Sequence, residues 1–402
     1  MGQDKTDSKH GLFRLGRRPA VLLSAVALVA LAIPTAADAK KKGKGQKVTV
    51  MTRNLYLGAD LKPLTEASSV GEAIDLAGVA YNEFKSTKFE ERAVPLAREI
   101  KQSKADLVGL QEVATWYKQT PSDGGAPPIS PIPGATPATD VEQDFLALLQ
   151  QELKNLDAKY KVIGSQDELS AELPVDADQS DATGTGPLAG FGADFDERIL
   201  IRDVVLVRKG TKVKLGAVNS SNYVTRYEPS VGGILIPVDR GWISVEAKVK
   251  GKGKKKGRKA KSSKFRFINT HLEAYGPPTI REAQAKELIA GPANTSKQVI
   301  LVGDLNSGVA RHNEPEQPGD ELAFQAFEAA GFKDNGAVHT ASHDNLFDPG
   351  DGFDHTVDHV LTKPGLKTKK AFVTGGDPAE MTPSGIWPSD HGGVVSRLQL
   401  KK

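Results

Sequence analysis

The stretch LVGDLNSG, residues 301–308, is an apolar run that stops at Asp304 and offers Asn306 two positions later. Alternation along a strand would direct Asp304 and Asn306 to one face and turn Leu305 toward the packed side. Asp and Asn also begin ordinary turns, so a strand that ends in them needs no functional explanation by itself. Whether Asp304 and Asn306 have a functional role therefore depends on whether other strands also end in polar residues.

Polar side chains do recur at the ends of apolar runs. They are Asn54 after VTVMTR, Glu112 after DLVGLQ, His271 after FRFINT, Asp358 within TVDHVL, and Asp390 with His391 in PSDHGGVV. A turn explains each one alone. Strand ends along one edge of a sheet converge in space, however, and ligand sites collect there. The set therefore predicts one site that includes Asp304 and Asn306.

The chemistry of this set is that of oxygen ligands and two imidazoles. Convergent Asp and Glu without cysteine suit a hard cation, Mg²⁺ or Mn²⁺ before Zn²⁺. Such an ion neutralises the charge that develops on a phosphate group in the transition state. One histidine can donate to a phosphate oxygen, and the other can move protons near neutral pH. We therefore expect a metal-dependent phosphoesterase with Mg²⁺ or Mn²⁺ as its cofactor.

Strand-like and helix-like patterns follow one another along the chain. Strands are predicted at residues 47–52, 106–111 and 198–208, which alternate or are rich in β-branched residues. Helices are predicted at residues 89–103, 141–156 and 279–290, where apolar residues recur at helical spacing. The mixture indicates an α/β domain with mixed sheets, spanning residues 48–402.

Three tracts within this domain are predicted loop insertions. Residues 120–139 are rich in Pro and Gly, and residues 173–194 are acidic and Gly-rich, so neither can bury much apolar surface. Residues 248–264 are lysine-rich and lie between two strand-like runs. That placement predicts the extended tip of a β-hairpin.

The N-terminus has the pattern of an export signal. Basic residues are followed by an apolar run at residues 20–33 and by small residues at 37–39. We expect residues 1–39 to be a cleaved signal peptide, residues 40–47 to be a basic linker, and the protein to be secreted. An uncleaved membrane anchor is the alternative, although this run is shorter than the ~20 residues of a spanning helix. The paired arginines at 17–18 leave a twin-arginine route open.

The formal net charge of +3 hides an uneven distribution. Residues 248–264 carry ten basic residues and no acidic one, and residues 40–47 carry five lysines. Without these segments and the signal, 33 basic and 47 acidic residues remain, a net charge of −14. An acidic body suits a metal-dependent site better than a surface that binds nucleic acid throughout. With no cysteine, the chain has no disulfide framework and no thiol catalysis.

These residues and their order resemble the endonuclease/exonuclease/phosphatase superfamily, which includes secreted DNases, apurinic endonucleases, bacterial sphingomyelinases and inositol-phosphate phosphatases. The matching motifs are TRNLYLG at Asn54, LQEV at Glu112, NTHL at His271, GDLN at Asp304 and Asn306, VDHVL at Asp358, and SDHGGV at Asp390 and His391. They cover residues 48–400 in the family's order. The resemblance implies a four-layer α/β sandwich, in which two mixed β-sheets pack face to face with helices outside and the site lies at one edge.

The resemblance also implies metal ligands and a water-activating group. Glu112 would be the principal metal ligand, with Asn54 and Asp390 nearby, directly or through water. Asp304 would orient or deprotonate the attacking water.

The remaining site residues would contact the phosphate and the substrate. Asn306 would hold a phosphate oxygen. His391, oriented by Asp358, and His271 would stabilise the transition state or protonate the leaving group. Asn306, His271 and Tyr275 are the candidate substrate-binding residues, and packing is the alternative role for Tyr275.

The sequence departs from the family pattern near two of its motifs. Some nucleases of the family carry an aspartate two residues after the first asparagine, where this chain has Tyr56. Asp354 and His355 stand before Asp358 without a counterpart in the family. A turn is predicted at residues 58–60 in preference to a site role for Asp60.

The other histidines are predicted to lie outside the site. His359 alternates to the opposite strand face from Asp358 and is interpreted as structural. His312, His339 and His343 lie in polar loops, and exposure to solvent is predicted for each.

Three substrate classes are compatible with phosphoester hydrolysis. Nuclease-like cleavage of phosphodiesters is favoured, because the segment from Lys248 to Lys264 could bind a polyanion such as nucleic acid. A sphingomyelinase-like or phosphoinositide-directed enzyme acting on a phospholipid headgroup is the alternative, and a phosphomonoesterase is a further one. A non-catalytic polyanion-binding protein is a remote alternative. No feature implies a stable protein partner.

Overall fold

The structure, a computed structural model, describes residues 45–125, 132–180, 184–251, 254–255, 258–259, 261–308, 319–336, 339–341, 343 and 345–401, with the backbone alone at 254–255 and 258–259. The predicted signal peptide and residues 40–44 of the linker lie outside the described residues. So do His312, residues 126–131 and 181–183 of two predicted loops, and residues 252–253, 256–257 and 260 of the lysine-rich hairpin tip.

The strands and helices alternate irregularly along the chain. In order, the strands are β1 (Lys47–Asn54), β2 (Leu107–Gln111), β3 (Thr115–Gln119), β4 (Asp140–Asp144), β5 (Tyr160–Val175), β6 (Phe195–Arg208), β7 (Val213–Asn222), β8 (Ser230–Val231), β9 (Ile234–Leu235), β10 (Gly241–Val249), β11 (Lys254–Lys255), β12 (Arg258–Lys259), β13 (Ser263–His271), β14 (Gln298–Asp304), β15 (Lys333–Asp334), β16 (Asp358–Lys363), β17 (Lys367–Thr374) and β18 (Gly393–Gln399). The α-helices are α1 (Val70–Ser86), α2 (Phe89–Ser103), α3 (Phe145–Asn155), α4 (Pro278–Ala290) and α5 (Leu322–Ala329). Short 3₁₀ helices lie at Pro63–Glu66, Gly186–Phe191 and Pro378–Glu380.

Among the described residues, the longer strands form one sheet of eight strands and one of six. The first has the order β17-β18-β1-β2-β6-β3-β4, with β5 also paired to β6, and the second has the order β15-β16-β14-β13-β10-β7. Both sheets are mixed, since β1 with β2 and β13 with β14 are parallel while their other neighbours are antiparallel. Parallel neighbours end at the same edge of a sheet, which brings their last residues together.

The two sheets and the helices outside them form four layers, with clusters of buried apolar side chains between the layers. Between the sheets, Val50 of β1 belongs to the same buried cluster as Phe267 of β13 and Val302 of β14. The outer face of the first sheet packs against α1, α2 and α3 in a second cluster. The outer face of the second sheet packs against α4 and α5 in a third. The order of helices, sheet, sheet and helices confirms the predicted four-layer α/β sandwich.

Helix α2 shows how the sequence specifies these elements. Phe89, Ala93, Leu96, Ala97 and Ile100 recur at three- and four-residue spacing, and all are fully buried against the first sheet. The helix ends at Lys104, whose φ of 53° is left-handed and breaks the repeat. Its bounds agree with the prediction from spacing.

Helix α3 begins later than its apolar spacing predicts. Residues 140–144 form β4, which pairs antiparallel with β3, and Val141 is 59% exposed. The side chain of Asp144 accepts a hydrogen bond from Ala147 N at 3.1 Å and caps the helix. The predicted helix at residues 141–156 was therefore wrong in its first four residues, because strand pairing and capping outweighed spacing. The loop predicted at 173–194 likewise begins late, since β5 extends to Val175.

Arg92 of α2 ties together the chain segments that lead into the edge where β1 and β2 end. Its guanidinium is fully buried and donates to four backbone carbonyls: Thr87 at 2.8 Å, Leu55 at 2.8 Å, Tyr56 at 3.0 Å and Pro388 at 3.0 Å. A rigid planar donor is suited to holding several acceptors at fixed positions. Arg92 thereby fixes the turn after β1 against the segment before Asp390.

The lysine-rich hairpin points away from the edge where β13 and β14 end. Strands β10 and β13 pair from Gly241 with His271 at one end to Val249 with Ser263 at the other. Eight residue steps at ~3.3 Å separate these ends by roughly 26 Å. The described lysines near the tip, such as Lys250 and Lys261, are therefore at the far end of the hairpin from His271.

In the described part of the chain, no helix combines the length and the apolar character needed to cross a bilayer.

Arg92→Met should lower the free energy of unfolding by about 3 kcal/mol or more, because four buried carbonyls lose their donor. Arg98→Met is the matched control, since Arg98 lies on the same helix and is exposed. That change should cost no more than about 0.5 kcal/mol. Urea titrations followed by circular dichroism measure both, and equal losses in the two variants would contradict the structural role of Arg92.

Candidate active site

The polar residues at the predicted strand ends meet at one edge of the sandwich. In the first sheet, Asn54 lies beside Gln111, so Glu112 follows directly behind the last pair of β1 and β2. In the second sheet, His271 pairs with Asp304, and Asp304 pairs with Asp358. The register of five strands therefore sets this arrangement before any side chain is considered.

Asn54 joins the two sheets at this edge. Its Nδ2 donates to Glu112 Oε1 at 2.9 Å and to Asp304 Oδ2 at 3.1 Å. Its Oδ1 accepts from Tyr56 N at 2.9 Å, and Glu112 Oε2 accepts from Leu57 N at 2.8 Å. One amide thus holds the two carboxylates, which come from different sheets, at a fixed separation.

Two of the site residues have left-handed backbone conformations. Glu112 has a φ of 53° and Asn306 has a φ of 45°. The left-handed region costs a residue other than glycine roughly 1–2 kcal/mol, and such strain concentrates at functional sites. Asn306 is thus directed by a backbone turn and not by strand alternation, because β14 ends at Asp304.

Asp304 lies at the centre of the cluster. Its Oδ1 accepts from Asn306 N at 2.8 Å, while its Oδ2 is 3.6 Å from Nε2 of both His271 and His391. Burial, opposed by His391 and reinforced by Asp358, raises the pKa of Asp304 to about 7. Its carboxyl group can therefore exchange a proton near neutral pH.

His391 is held by Asp358 as an imidazolium. Its Nδ1 lies 2.8 Å from Asp358 Oδ2, which leaves Nε2 directed at Asp304. Burial alone would lower the pKa of His391, but the carboxylates of Asp358, Asp390 and Asp304 outweigh it and raise that pKa well above 6.5. The charged ring can donate a hydrogen bond or a proton through Nε2.

His271 has the opposite electrostatic surroundings. Arg240 Nη1 lies 3.0 Å from His271 Nδ1, and because arginine only donates, Nδ1 must accept and carry no proton. Burial, with contributions from Arg240 and His391, lowers the pKa of His271 well below 6.5. His271 is therefore neutral, with its hydrogen on Nε2, which faces Asp304 Oδ2 at 3.6 Å.

Sequence analysis missed the group that holds Arg240. Its guanidinium bonds to the buried carboxylates of Glu168 and Glu273 at 3.4 Å. Glu168 Oε2 also lies 3.6 Å from His271 Nδ1, and burial raises the pKa of Glu168 to about 8 despite Arg240. In the sequence, Glu168, Arg240 and Glu273 are charged residues within or beside a strand. Charged residues are so common at such positions that these three could not be singled out.

A second missed group lies behind the site, between the sheets. Asn269 Nδ2 donates to Asp203 Oδ2 at 3.1 Å and to Leu110 O at 3.1 Å, and Gln111 Nε2 donates to Asn269 Oδ1 at 2.7 Å. A Cβ atom at Gly109 would lie 2.0 Å from Asn269 Oδ1, so this close contact requires glycine. Buried polar groups that are bonded in this way fix one register of the two sheets.

An open cleft of about 320 Å³ leads to the cluster. Its wall contains the carboxylates of Asp60, Glu83, Glu112 and Asp390, and no lysine or arginine among the described lining residues. Tyr275 forms part of the same wall and donates to Asp60 Oδ1 at 3.3 Å. The turn predicted at Gly58–Asp60 therefore also places Asp60 in the cleft.

Two of the remaining histidines, His339 and His343, are less exposed than predicted. His343 is 3% exposed and stacks on Trp387 with ring centroids 4.1 Å apart, so the prediction of an exposed side chain was wrong. His339 is half-buried. His359 is fully buried on the opposite side, where it bonds to Asp334 at 2.8 Å and to Ser307 O at 2.9 Å, as its structural interpretation predicts.

The region just before Asp358 is ordered by two residues that have no family counterpart. His355 Nδ1 contacts Asp354 Oδ1 at 2.5 Å, and His355 forms a β-bridge with Ala341, which in turn bridges His391. These two residues therefore support the segment carrying His391.

A family model described as the Endonuclease/Exonuclease/phosphatase family matches residues 79–391, more than three quarters of the chain. The chain belongs to this family. Its membership confirms the resemblance carried by the strand-end motifs. Members of the endonuclease/exonuclease/phosphatase family hydrolyse phosphoester bonds, which is the reaction class that the cluster indicates.

Solved structures with a similar fold come from several organisms. A family protein from Bacteroides thetaiotaomicron is 16% identical with a TM-score of 0.48, covering 89% of this chain and 100% of its own. A mannosyl-6-phosphatase from the same species is 16% identical with a TM-score of 0.45, covering 87% and 99%. TDP2 of D. rerio, complexed with a single-strand DNA product, is 13% identical with a TM-score of 0.46, covering 88% and 99%. No curated protein sequence matches the chain.

The donor set fits a hard divalent cation. Carboxylate oxygens of Glu112 and Asp304 lie within 4.8 Å of each other, while the protonated Nε2 of His271 is not free to ligate a cation. Burial, reinforced by Asp390, raises the pKa of Glu112, so the carboxylates of Glu112 and Asp390 repel one another without a cation. Oxygen ligands from Glu112, Asn54 and Asp390 are of the kind that Mg²⁺ or Mn²⁺ takes. The cluster therefore has the charge and the ligand chemistry for such an ion.

Divalent cations should stabilise the protein more at about pH 8 than at about pH 5. The pKa of Asp304 rises from 3.8 to about 7 on folding, so the folded protein keeps a proton that the unfolded chain has lost. Without a cation, the retained proton of Asp304 contributes to the free energy of unfolding. This contribution is fully present below pH 3.8 and is lost as the pH rises to about 7. Cations bind the deprotonated carboxylates and reverse the trend.

Thermal unfolding with and without Mg²⁺ or Mn²⁺ measures this effect as a shift of several degrees. Glu112→Gln should abolish the shift, whereas Glu246→Gln, a change in an ion pair with Arg266 outside the site, should retain it. Equal shifts at both pH values, or a full shift in Glu112→Gln, would contradict the assignment.

The two site histidines should titrate differently. Nitrogen NMR of the imidazoles between about pH 6 and pH 8 should show His271 neutral with Nδ1 unprotonated, and His391 charged. Substituting each histidine by Gln assigns the signals. A charged His271 in this range would rule out the tautomer set by Arg240.

Proposed function

We propose that the chain is a secreted hydrolase of phosphodiester bonds that depends on a divalent cation. The observation that carries this proposal is the arrangement around Asp304 Oδ2, with the neutral His271 and the charged His391 each 3.6 Å away. Asn54 and Glu112 complete the cluster on the side of the other sheet. Export is proposed from the sequence pattern of residues 1–39.

Asp304 is the base in this proposal. Its pKa of about 7 allows the carboxylate to accept a proton from the attacking water near neutral pH. Asn306 N–H holds Oδ1 and Asn54 Nδ2 holds Oδ2, so the carboxylate cannot rotate away. Orientation of the water by a fixed base contributes part of the rate enhancement.

The two histidines act on the other oxygens of the phosphate. His271 Nε2–H donates to a phosphate oxygen, because its low pKa keeps it neutral and unable to serve as an acid. His391 stabilises the developing charge and can protonate the leaving oxygen, since its raised pKa keeps a proton on the ring. The opposite pKa shifts support assigning these two roles, which the sequence left shared, to different histidines.

Glu112, Asn54 and Asp390 would hold the cation. When bound, Mg²⁺ or Mn²⁺ supplies positive charge to a phosphate oxygen and offsets the carboxylates of the cleft. The cleft has no lysine or arginine among its described lining residues, so the phosphate depends on this charge and on the histidines.

The position of the lysine-rich hairpin bears on the substrate. Its tip was the feature that favoured nucleic acid, yet it lies roughly 26 Å along the strands from His271. A phosphate beside the scissile bond does not reach it, although a long polymer could. Nucleic acid and phospholipid headgroups therefore enter the test as equal substrate classes.

Asp304→Asn should lower hydrolysis about 10²- to 10⁴-fold at unchanged folding, because the base is lost. Asp334→Asn is the matched control, since Asp334 also pairs with a histidine, His359, on the opposite side of the second sheet. Substrates are bis(p-nitrophenyl) phosphate, plasmid DNA, RNA and sphingomyelin, each with Mg²⁺ or Mn²⁺.

The pattern of cleavage then assigns the substrate class. Cleavage of one substrate by the parent and by Asp334→Asn, but not by Asp304→Asn, supports the proposal. A folded protein that cleaves none of these with any divalent cation, or an Asp304→Asn variant of full activity, would overturn it.

A further inference from the structure

A cavity of about 130 Å³ lies next to the candidate active site, on the outer face of the first sheet. Its walls come from Leu169 and Leu173 of β5, Ile199 and Ile201 of β6, and Ala77 of α1. These side chains are apolar, and the cavity is open to solvent on one side.

The cavity and the catalytic cleft share part of their walls. Leu57, Glu112 and Tyr275 line both of them. Leu57 N donates to Glu112 Oε2 at 2.8 Å, so the apolar wall begins directly beside the proposed cation ligand. A substrate whose phosphate contacts a cation held by Glu112 therefore has an apolar space beside it.

The volume limits what can enter. An engineered cavity of about 150 Å³ with apolar walls binds benzene. A space of about 130 Å³ is therefore suited to one small ring or a chain of about six carbon atoms, and it is too small for a complete lipid chain.

One polar group faces this apolar space without a partner. Glu197 lines the cavity and is 6% exposed, and neither carboxyl oxygen has a hydrogen-bond partner among the described residues. A buried polar group without a partner costs free energy, so its retention points to a ligand. Burial, reinforced by Glu142, raises the pKa of Glu197 to about 9, so the neutral group offers an O–H donor.

We propose that this cavity binds a small apolar group of the substrate, about six carbon atoms in size, that carries a hydrogen-bond acceptor within reach of Glu197. The inference rests on the proposed function, because the phosphate bound at the cation of Glu112 positions the rest of the substrate. The substrate class is then a phosphoester with a compact apolar substituent next to the phosphate, either a ring or a short chain.

The test measures binding without turnover. A series of n-alkylphosphonates from methyl to octyl, with phenylphosphonate beside it, is titrated into the full chain with Mg²⁺ by calorimetry. Each buried methylene should raise the affinity about fourfold up to about hexyl, after which the gain should stop. Equal affinity from methyl to octyl would overturn the proposal and identify the cavity as a packing void.

Filling the cavity should remove the dependence of phosphonate affinity on the length of the alkyl chain. Ala171→Leu adds bulk from β5, and Ile199→Phe does so from β6 if the first variant does not fold. Ala147→Leu adds the same volume at an exposed position of α3 and should leave the series unchanged. A full chain-length gain in a folded cavity-filling variant would also overturn the proposal.

The acceptor is tested with 5-oxohexylphosphonate against hexylphosphonate. The ketone should bind more tightly than the alkyl compound to the parent, and Glu197→Leu should reverse that order. An unchanged order in this variant would exclude Glu197 as the donor. Hydrolysis of bis(p-nitrophenyl) phosphate is measured separately, so loss of the proposed function is distinguished from loss of the cavity's role.

Discussion

The hydrogen bonds of Asn54 are the constraint on which the rest of the site depends. A single amide nitrogen donates to Glu112 in its own sheet and to Asp304 in the other, at 2.9 and 3.1 Å. These bonds can form only if the sheets pack in one register, which the buried contact of Asn269 with Gln111 and the absence of a side chain at Gly109 help to fix. In any other register these bonds would be lost and buried polar groups would have no partners. The same interactions therefore stabilise the alignment of the two sheets and the geometry of the site.

The electrostatics divide the site into two halves. On one side Arg240, paired with Glu168 and Glu273, keeps His271 neutral. On the other side Asp358 and its neighbouring carboxylates keep His391 charged. Asp304 lies between the two rings. Its carboxyl group therefore faces His271, which donates a hydrogen bond but cannot release a proton, and His391, which can release one. Two chemically identical imidazole rings thereby acquire different functions from the charged residues that surround them. The spacing of residues in the sequence does not predict this difference.

Particular residues show how far the sequence determines the result. The strand-end positions of Glu112, His271 and Asp304 followed from apolar runs that stop at a polar residue, because strand direction and sheet edges are local consequences of that pattern. The start of α3 was misplaced since β4 pairs with β3, a contact distant in sequence. The burial of His343 against Trp387 was likewise invisible, because it depends on two loops that meet only in the fold. Arg240 was missed for the same reason: its importance comes from what surrounds it and not from its neighbours in the chain.

The lysine-rich hairpin and the start of β1 place positive charge at one end of the strands, while the acidic cleft lies at the other. Gln46 at the entry to β1 bonds to the backbone of Lys261, so Lys47 and the base of the lysine-rich hairpin lie at the same end of the strands. These lysines and the carboxylates of the cleft therefore produce electrostatic fields of opposite sign at the two ends of the strands.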